Sequence, residues 1–168
     1  MSIAASLLPE FDQEMANTRK ILELVPEDKL DWAPHEKSMK LGQLVGHLVE
    51  FPHWGLSTLQ QDELVLVGEY KPYVMTSRAE LLQKFDKDVA SLRKVVSETG
   101  DQDFGKTWTL TSGGNPIFAM PKIGVWRGMV MNHMVHHRAQ LGVYFRLLNL
   151  PVPGMYGPSA DEMAKFPS

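Results

Sequence analysis

Asn132-His133-Met134-Val135-His136-His137-Arg138 sets two imidazoles four residues apart. On a helix such residues lie about 40° apart around the axis and one turn along it, so His133 and His137 share a face. Trp126, Val130, Leu141, Tyr144 and Leu148 fall on the same face, which makes it an apolar stripe meant for a core. A buried imidazole needs a partner for each ring nitrogen. Two readings satisfy that need. Each ring is hydrogen-bonded to backbone or a neighbouring helix, or a metal ion takes one nitrogen from each, as in zinc helices with a His pair at this spacing. His136 is roughly 100° from His137 and belongs at the edge of the stripe or on the surface. Arg138 is similarly far round and suits a salt bridge, while Gln140, about 60° from His137, can face the same site.

A third imidazole shifts the balance toward metal. His47 lies among Leu44, Leu48 and Phe51, and so interrupts the apolar stripe of another helix. Three inward histidines on two helices, His47, His133 and His137, form a His₃ set that leaves coordination positions open, the pattern of catalytic sites. Glu50 follows His47 by three residues and fits a supporting acceptor or a carboxylate at the helix edge better than a fourth ligand. His53 is about 240° around from His47 and His35 sits in a loop, so neither joins the site. Bis-histidine haem fits poorly, because the pair on one helix approaches a centre from one side only.

Composition narrows the chemistry further. The chain has 168 residues, 43% hydrophobic and 22% charged, which suits one globular domain over 1–168 with a substantial core. Its net charge of −3 gives no electrostatic case for nucleic acid or an anionic membrane. There is no cysteine, hence no thiolate nucleophile, disulfide or Cys-bound zinc. That absence suits a reducing, cytoplasmic setting. The N-terminus lacks a basic region before an apolar run, and no apolar stretch is long enough for a bilayer.

Four segments have helical periodicity: about 3–24, 41–66, 77–98 and 122–148. The first ends before Val25-Pro26. The second has Ser38 as N-cap, with Pro52 able to bend it. The third opens at Thr76 or Ser77 with Glu80 downstream, a capping box. The fourth has Pro121 in its first turn and Pro151 beyond its end. Four long amphipathic helices in a small domain predict an all-α, antiparallel four-helix bundle whose long connections permit a non-sequential order. Between the third and fourth, Trp108-Thr109-Leu110 and Ile117-Phe118-Ala119 flank Ser112-Gly113-Gly114-Asn115-Pro116 and predict a small β-hairpin with a turn longer than the tightest types. The Pro/Gly-rich tail, 151–168, reads as loop. Met131 and Val135 give the fourth helix a second apolar edge, which points to a homodimer interface or to cover by other helices of the chain.

Three stretches in order carry a family resemblance: Trp32-Ala33-Pro34 with Lys40-Leu41-Gly42-Gln43-Leu44-Val45-Gly46-His47-Leu48; Asn132–Arg138 continued by Ala139-Gln140; and Pro153-Gly154-Met155-Tyr156-Gly157-Pro158-Ser159-Ala160-Asp161-Glu162. Together they resemble the DinB/YfiT-like superfamily over most of the chain. The resemblance implies a four-helix bundle with an unusual helix order, often a homodimer, and one divalent metal, commonly zinc or nickel, on His47, His133 and His137. Characterised relatives include thiol-dependent S-transferases and a mycothiol-dependent isomerase. The resulting expectation is a transferase that joins a low-molecular-weight thiol to a small electrophile. The competing expectations are a metal-dependent hydrolase and a metal-binding stress or sensor protein without turnover. Added thiol discriminates the first two, and an opening to the metal discriminates both from the third.

Overall fold

A computed structural model of the chain describes residues 1–67 and 72–163. The last five residues of the tail expected over 151–168 lie outside it. Seven α-helices are present among the described residues: α1 (Ile3–Leu22), α2 (Leu41–Gln60), α3 (Arg78–Glu98), α4 (Asp101–Phe104), α5 (Lys122–Val125), α6 (His133–Leu147) and α7 (Ala160–Met163). A π-helical stretch, Trp126–Asn132, joins α5 to α6, so residues 122–147 run as one long helical segment. Three strands, β1 (Glu63–Leu66), β2 (Thr107–Ser112) and β3 (Asn115–Pro121), complete the fold.

Local chemistry accounts for the helix starts. Ser2 Oγ accepts the Ala5 N–H at 3.2 Å to cap α1, and Ser77 Oγ accepts the Glu80 N–H at 3.2 Å to cap α3, as its sequence predicts. The expected Ser38 cap of α2 is displaced to Lys40, because the Gln43 side chain reaches back to accept the Lys40 N–H at 2.9 Å. Along α1, Leu7, Phe11, Met15, Thr18, Ile21 and Leu22 are buried at helical spacing. They meet Leu44, Leu48 and Phe51 of α2, Leu81, Phe85 and Leu92 of α3, and Leu141 and Phe145 of α6 in one apolar core. Helix α1 packs against α3 and α6, and α2 packs against the same two. The four long segments thus close a ring in the order α1, α3, α2, α6, where sequence neighbours α1 and α2 are not side by side.

Two expectations need correction. The second helix stops at Gln60 instead of reaching 66, and its predicted last turn becomes β1. Tertiary pairing decides this: β1 runs parallel to β2 with Glu63 opposite Thr109, and the Thr109 N–H donates to the Asp62 carbonyl at 2.9 Å. The protein is therefore mostly helical with a three-stranded sheet, order β1-β2-β3, and not purely α with a lone hairpin. The β2–β3 turn is also tighter than expected. Gly113 and Gly114 at φ 56° and 79° form a two-residue connection in the left-handed region, which glycine adopts without strain. Trp108 and Leu110 of the sheet cover Val125, forming a second small core beside the last helical segment.

Candidate metal centre

Two adjacent segments of the ring, α2 and α6, bring the histidines together. His47 projects from α2 between Leu44 and Phe51, while His133 and His137 project from the first turn and a half of α6. Ring centroids are 5.2 Å apart for His47–His133, 4.7 Å for His47–His137 and 4.6 Å for His133–His137. The Nε2 atoms of His133 and His137 are 2.8 Å apart, and one nitrogen of each ring lies within 4.8 Å of the others. A tetrahedral ion with metal–nitrogen bonds of about 2.0–2.1 Å holds its ligands roughly 3.3 Å apart, a separation these two distances bracket. The donor set fits a borderline transition ion: three imidazoles, no carboxylate and no thiolate. These residues could hold a metal ion.

Phe51 floors the cluster, with its ring 4.8 Å from His47 and 4.9 Å from His133, and Trp54 stands edge-on to His47 at 6.3 Å. This apolar setting disfavours imidazolium. Burial first, then the neighbouring rings of His137 and His133, push His47 down to about 4. Burial likewise lowers His133 and His137. All three rings are neutral near pH 7, the state in which a lone pair is free for a cation. Burial is uneven across the three: His137 is buried at 7% exposure, while His47 and His133 are half-buried.

The second nitrogens of His137 and His133 differ in their surroundings. His137 Nδ1 lies 2.7 Å from Gln140 Oε1, one turn further along α6. His133 Nδ1 is buried without a hydrogen bond. The Met129 carbonyl, in the π-helical stretch just before it, favours the protonated ring but does not reach full hydrogen-bond geometry. The π stretch itself was not legible as such, since the periodicity fits a regular helix from 122. Helices with i→i+5 bonding turn less per residue, so an α-helical wheel misplaces residues upstream of His133. Met131, expected on a second apolar edge, is in fact 2% exposed inside the chain's own core.

The remaining candidates sort cleanly. His53, His35 and His136 are exposed and outside the cluster. Glu50 Oε1 accepts the Tyr73 N–H at 3.1 Å, which ties the loop after β1 to α2. Gly46 lets that loop approach, since a Cβ there would sit 2.2 Å from the Tyr73 carbonyl oxygen. Tyr144 donates to the Met39 carbonyl at 3.0 Å, and Trp126 packs on Phe11 at 5.8 Å, so both serve the fold. Arg138 does form a salt bridge, at 2.5 Å to Glu14. Glu14 was missed, although an acid between Phe11 and Thr18 on an apolar stripe is itself a signal of a buried partner.

Comparison with known proteins identifies the family and the fold. A family model described as the DinB superfamily matches residues 10–141. YrdA of Bacillus subtilis (strain 168), described as an uncharacterized protein, is 26% identical over 162 residues, which are 95% of this chain and 91% of that one. The crystal structure of a DinB-like protein from Bacillus cereus ATCC 10987 superposes with a TM-score of 0.70 at 26% identity, covering 92% of this chain and 98% of that one. The DinB-like protein YjoA of B. subtilis superposes with a TM-score of 0.67 at 16% identity over 92% and 99% of the two chains, a likeness of fold. With the family model spanning most of its length, the chain belongs to the DinB superfamily.

Proposed function

We propose that this chain is a divalent-metal protein of the DinB four-helix-bundle type, with His47, His133 and His137 as ligands, that transfers a low-molecular-weight thiol onto a small electrophile. One observation carries the reading: three neutral imidazoles from two helices converge on one partly buried point beside Phe51 and Trp54. Zinc or nickel suits an all-imidazole set. When bound, such an ion would supply Lewis acidity that lowers the pKa of a thiol and holds it as thiolate.

The chain's own residues do the rest. With no cysteine present, the sulfur must come from outside. Phe51 and Trp54 give the site apolar walls, which strengthen its electrostatics by excluding water. The thiol proton passes to solvent, the sulfur forms the bond to the electrophilic carbon, and the displaced group departs with its electron pair. The incomplete burial of His47 and His133 favours turnover over a closed metal store. A cytoplasmic homodimer belongs to the same reading. Val143 and Leu147, at 58% and 56% exposure on α6, are its apolar support in place of Met131. No helix among the described residues is long and apolar enough to cross a membrane.

Metal analysis of protein purified without an affinity tag tests the site, with one equivalent per chain expected. Loaded and metal-free protein are then compared with bacillithiol, mycothiol and glutathione against a panel of electrophiles. Equal rates for the two forms would overturn the transferase. Turnover without thiol would replace it by a metal-dependent hydrolase.

A further inference from the structure

The Gln140 side chain is at hydrogen-bond distance from a ring nitrogen of one member of the triad. A neutral imidazole carries one N–H and one lone pair, and whichever nitrogen holds the proton leaves the other free. The Gln140 amide oxygen lies 2.7 Å from His137 Nδ1. An amide oxygen only accepts, so the proton belongs on Nδ1 and the lone pair on Nε2. That Nε2 faces the Nε2 of His133 at 2.8 Å, the point where the three rings meet. Gln140 is three residues from His137, and its side chain spans one helical turn to reach it.

We propose that Gln140 is a positioning residue: its amide oxygen fixes His137 as the Nδ1–H tautomer and thereby presents Nε2 to the cluster. So held, His137 is already in the form a metal ligand needs. The metal half of this proposal rests on the function proposed above, while the tautomer half stands without it.

The test uses the whole chain and two substitutions, Gln140→Leu and Gln140→Glu. Leucine keeps the volume and removes the acceptor, and glutamate keeps an acceptor oxygen at the same reach. Long-range proton–nitrogen correlation spectra of the metal-free protein report which nitrogen of His137 is protonated. The wild type and Gln140→Glu should show Nδ1–H, and Gln140→Leu should shift His137 to Nε2–H or to a mixture. Titration with zinc should give an affinity about 10–100-fold weaker for Gln140→Leu, the usual cost of losing a group behind a metal ligand. Gln140→Glu should restore it. An Nε2–H tautomer of His137 in the wild type would overturn the proposal, as would an unchanged tautomer in Gln140→Leu. Unchanged zinc affinity in Gln140→Leu would overturn its metal half. A wild-type chain that binds no zinc would refute the metal function, and the tautomer measurement would still decide the role of Gln140.

Discussion

His137 and Arg138 are neighbours in sequence, both buried, and look out from α6 into opposite kinds of polar site. Arg138, at 2% exposure, is fully answered. Its guanidinium donates to the Glu14 carboxylate at 2.5 Å, the Glu14 carbonyl at 2.9 Å, Thr18 Oγ1 at 3.1 Å and the Tyr156 hydroxyl at 2.7 Å. Thr18 donates in turn to the Glu14 carbonyl, and Tyr156 to the Glu14 carboxylate. Charge meets charge and the network closes on itself. The imidazoles one residue earlier gather three like groups, hold their pKa values down, and leave His133 Nδ1 without a hydrogen bond. A buried polar group without a partner costs stability, and His133 Nδ1 is such a group. The closed cluster ties α1, α6 and the tail. The open one joins rings of α2 and α6.

The comparison breaks most visibly at the open cluster. A His133→Ala/His137→Ala double variant is expected to lose stoichiometric metal altogether, and His47→Ala nearly so. His35→Ala and His53→Ala, whose rings are exposed and apart, should keep full occupancy. Elemental analysis of dialysed protein is the measurement, and full occupancy in the double variant would place the metal elsewhere. Circular dichroism should show all these variants folded, because the ligand set is not what holds the helices together.

The closed cluster should respond in the reverse way. Arg138→Ala leaves the Glu14 carboxylate buried with no cation, and breaking a buried pair from one side costs about 3–5 kcal/mol. Urea denaturation should show that loss, while metal stoichiometry of the folded fraction stays at the wild-type level. A loss below about 1 kcal/mol, the range of exposed pairs, would mean that the network is wetter than its 2% and 9% side-chain exposures indicate.

Acidification separates the two again. Folding holds His47 at about 4, below the ~6.5 of a free imidazole. Between these values the unfolded chain binds the proton and the folded chain does not, so unfolding gains as pH falls. Stability of the metal-free protein, full above about pH 6.5, should therefore decline through this window and level off below pH 4. His133 and His137, shifted the same way, add to the slope. A series of urea midpoints at fixed ionic strength measures it. In His47→Phe the slope should flatten, and an unchanged slope would remove His47 as its main source.

How much of this was legible follows from how local each cause is. The His133–His137 face needs only helical geometry, and the α3 cap needs only Ser77 and Glu80, so both could be read directly. His47 could be read because a lone imidazole stands out in an apolar stripe. Strand β1 could not, since its partner β2 lies over forty residues later and the pairing overrides the helical pattern that ends α2. The π stretch was equally hidden: its extra residue per turn buries both Trp126 and Met131, a tertiary gain with no mark in the periodicity. The Arg138–Glu14 pair spans 124 positions, so the arginine could be assigned a salt bridge but not a partner.

The smallest effect comes from the rim of the closed cluster. Tyr156 sits at 65% exposure overall, yet its hydroxyl bridges Arg138 at 2.7 Å and Glu14 at 3.0 Å, and its ring lies against the guanidinium at 5.6 Å. The hydroxyl is held between the two charges as donor to one and acceptor from the other, while burial and the Glu14 acceptor raise its pKa. Tyr156→Phe keeps the ring and deletes only the bridge. Arg138 and Glu14 retain their direct contact, so the expected loss is that of a hydrogen bond to charged groups at a wet edge, about 1 kcal/mol. The tail has other anchors that would limit its release, among them Arg146 to Asp161 at 2.7 Å and Lys20 to Glu162 at 3.2 Å. Hydrogen exchange at the Val152 and Gly154 amides, which donate to those same two carboxylates, should therefore stay slow in Tyr156→Phe and quicken in an Asp161→Asn/Glu162→Gln variant. Fast exchange already in Tyr156→Phe would make the hydroxyl, and not the ionic anchors, the group that fastens the tail to the closed cluster.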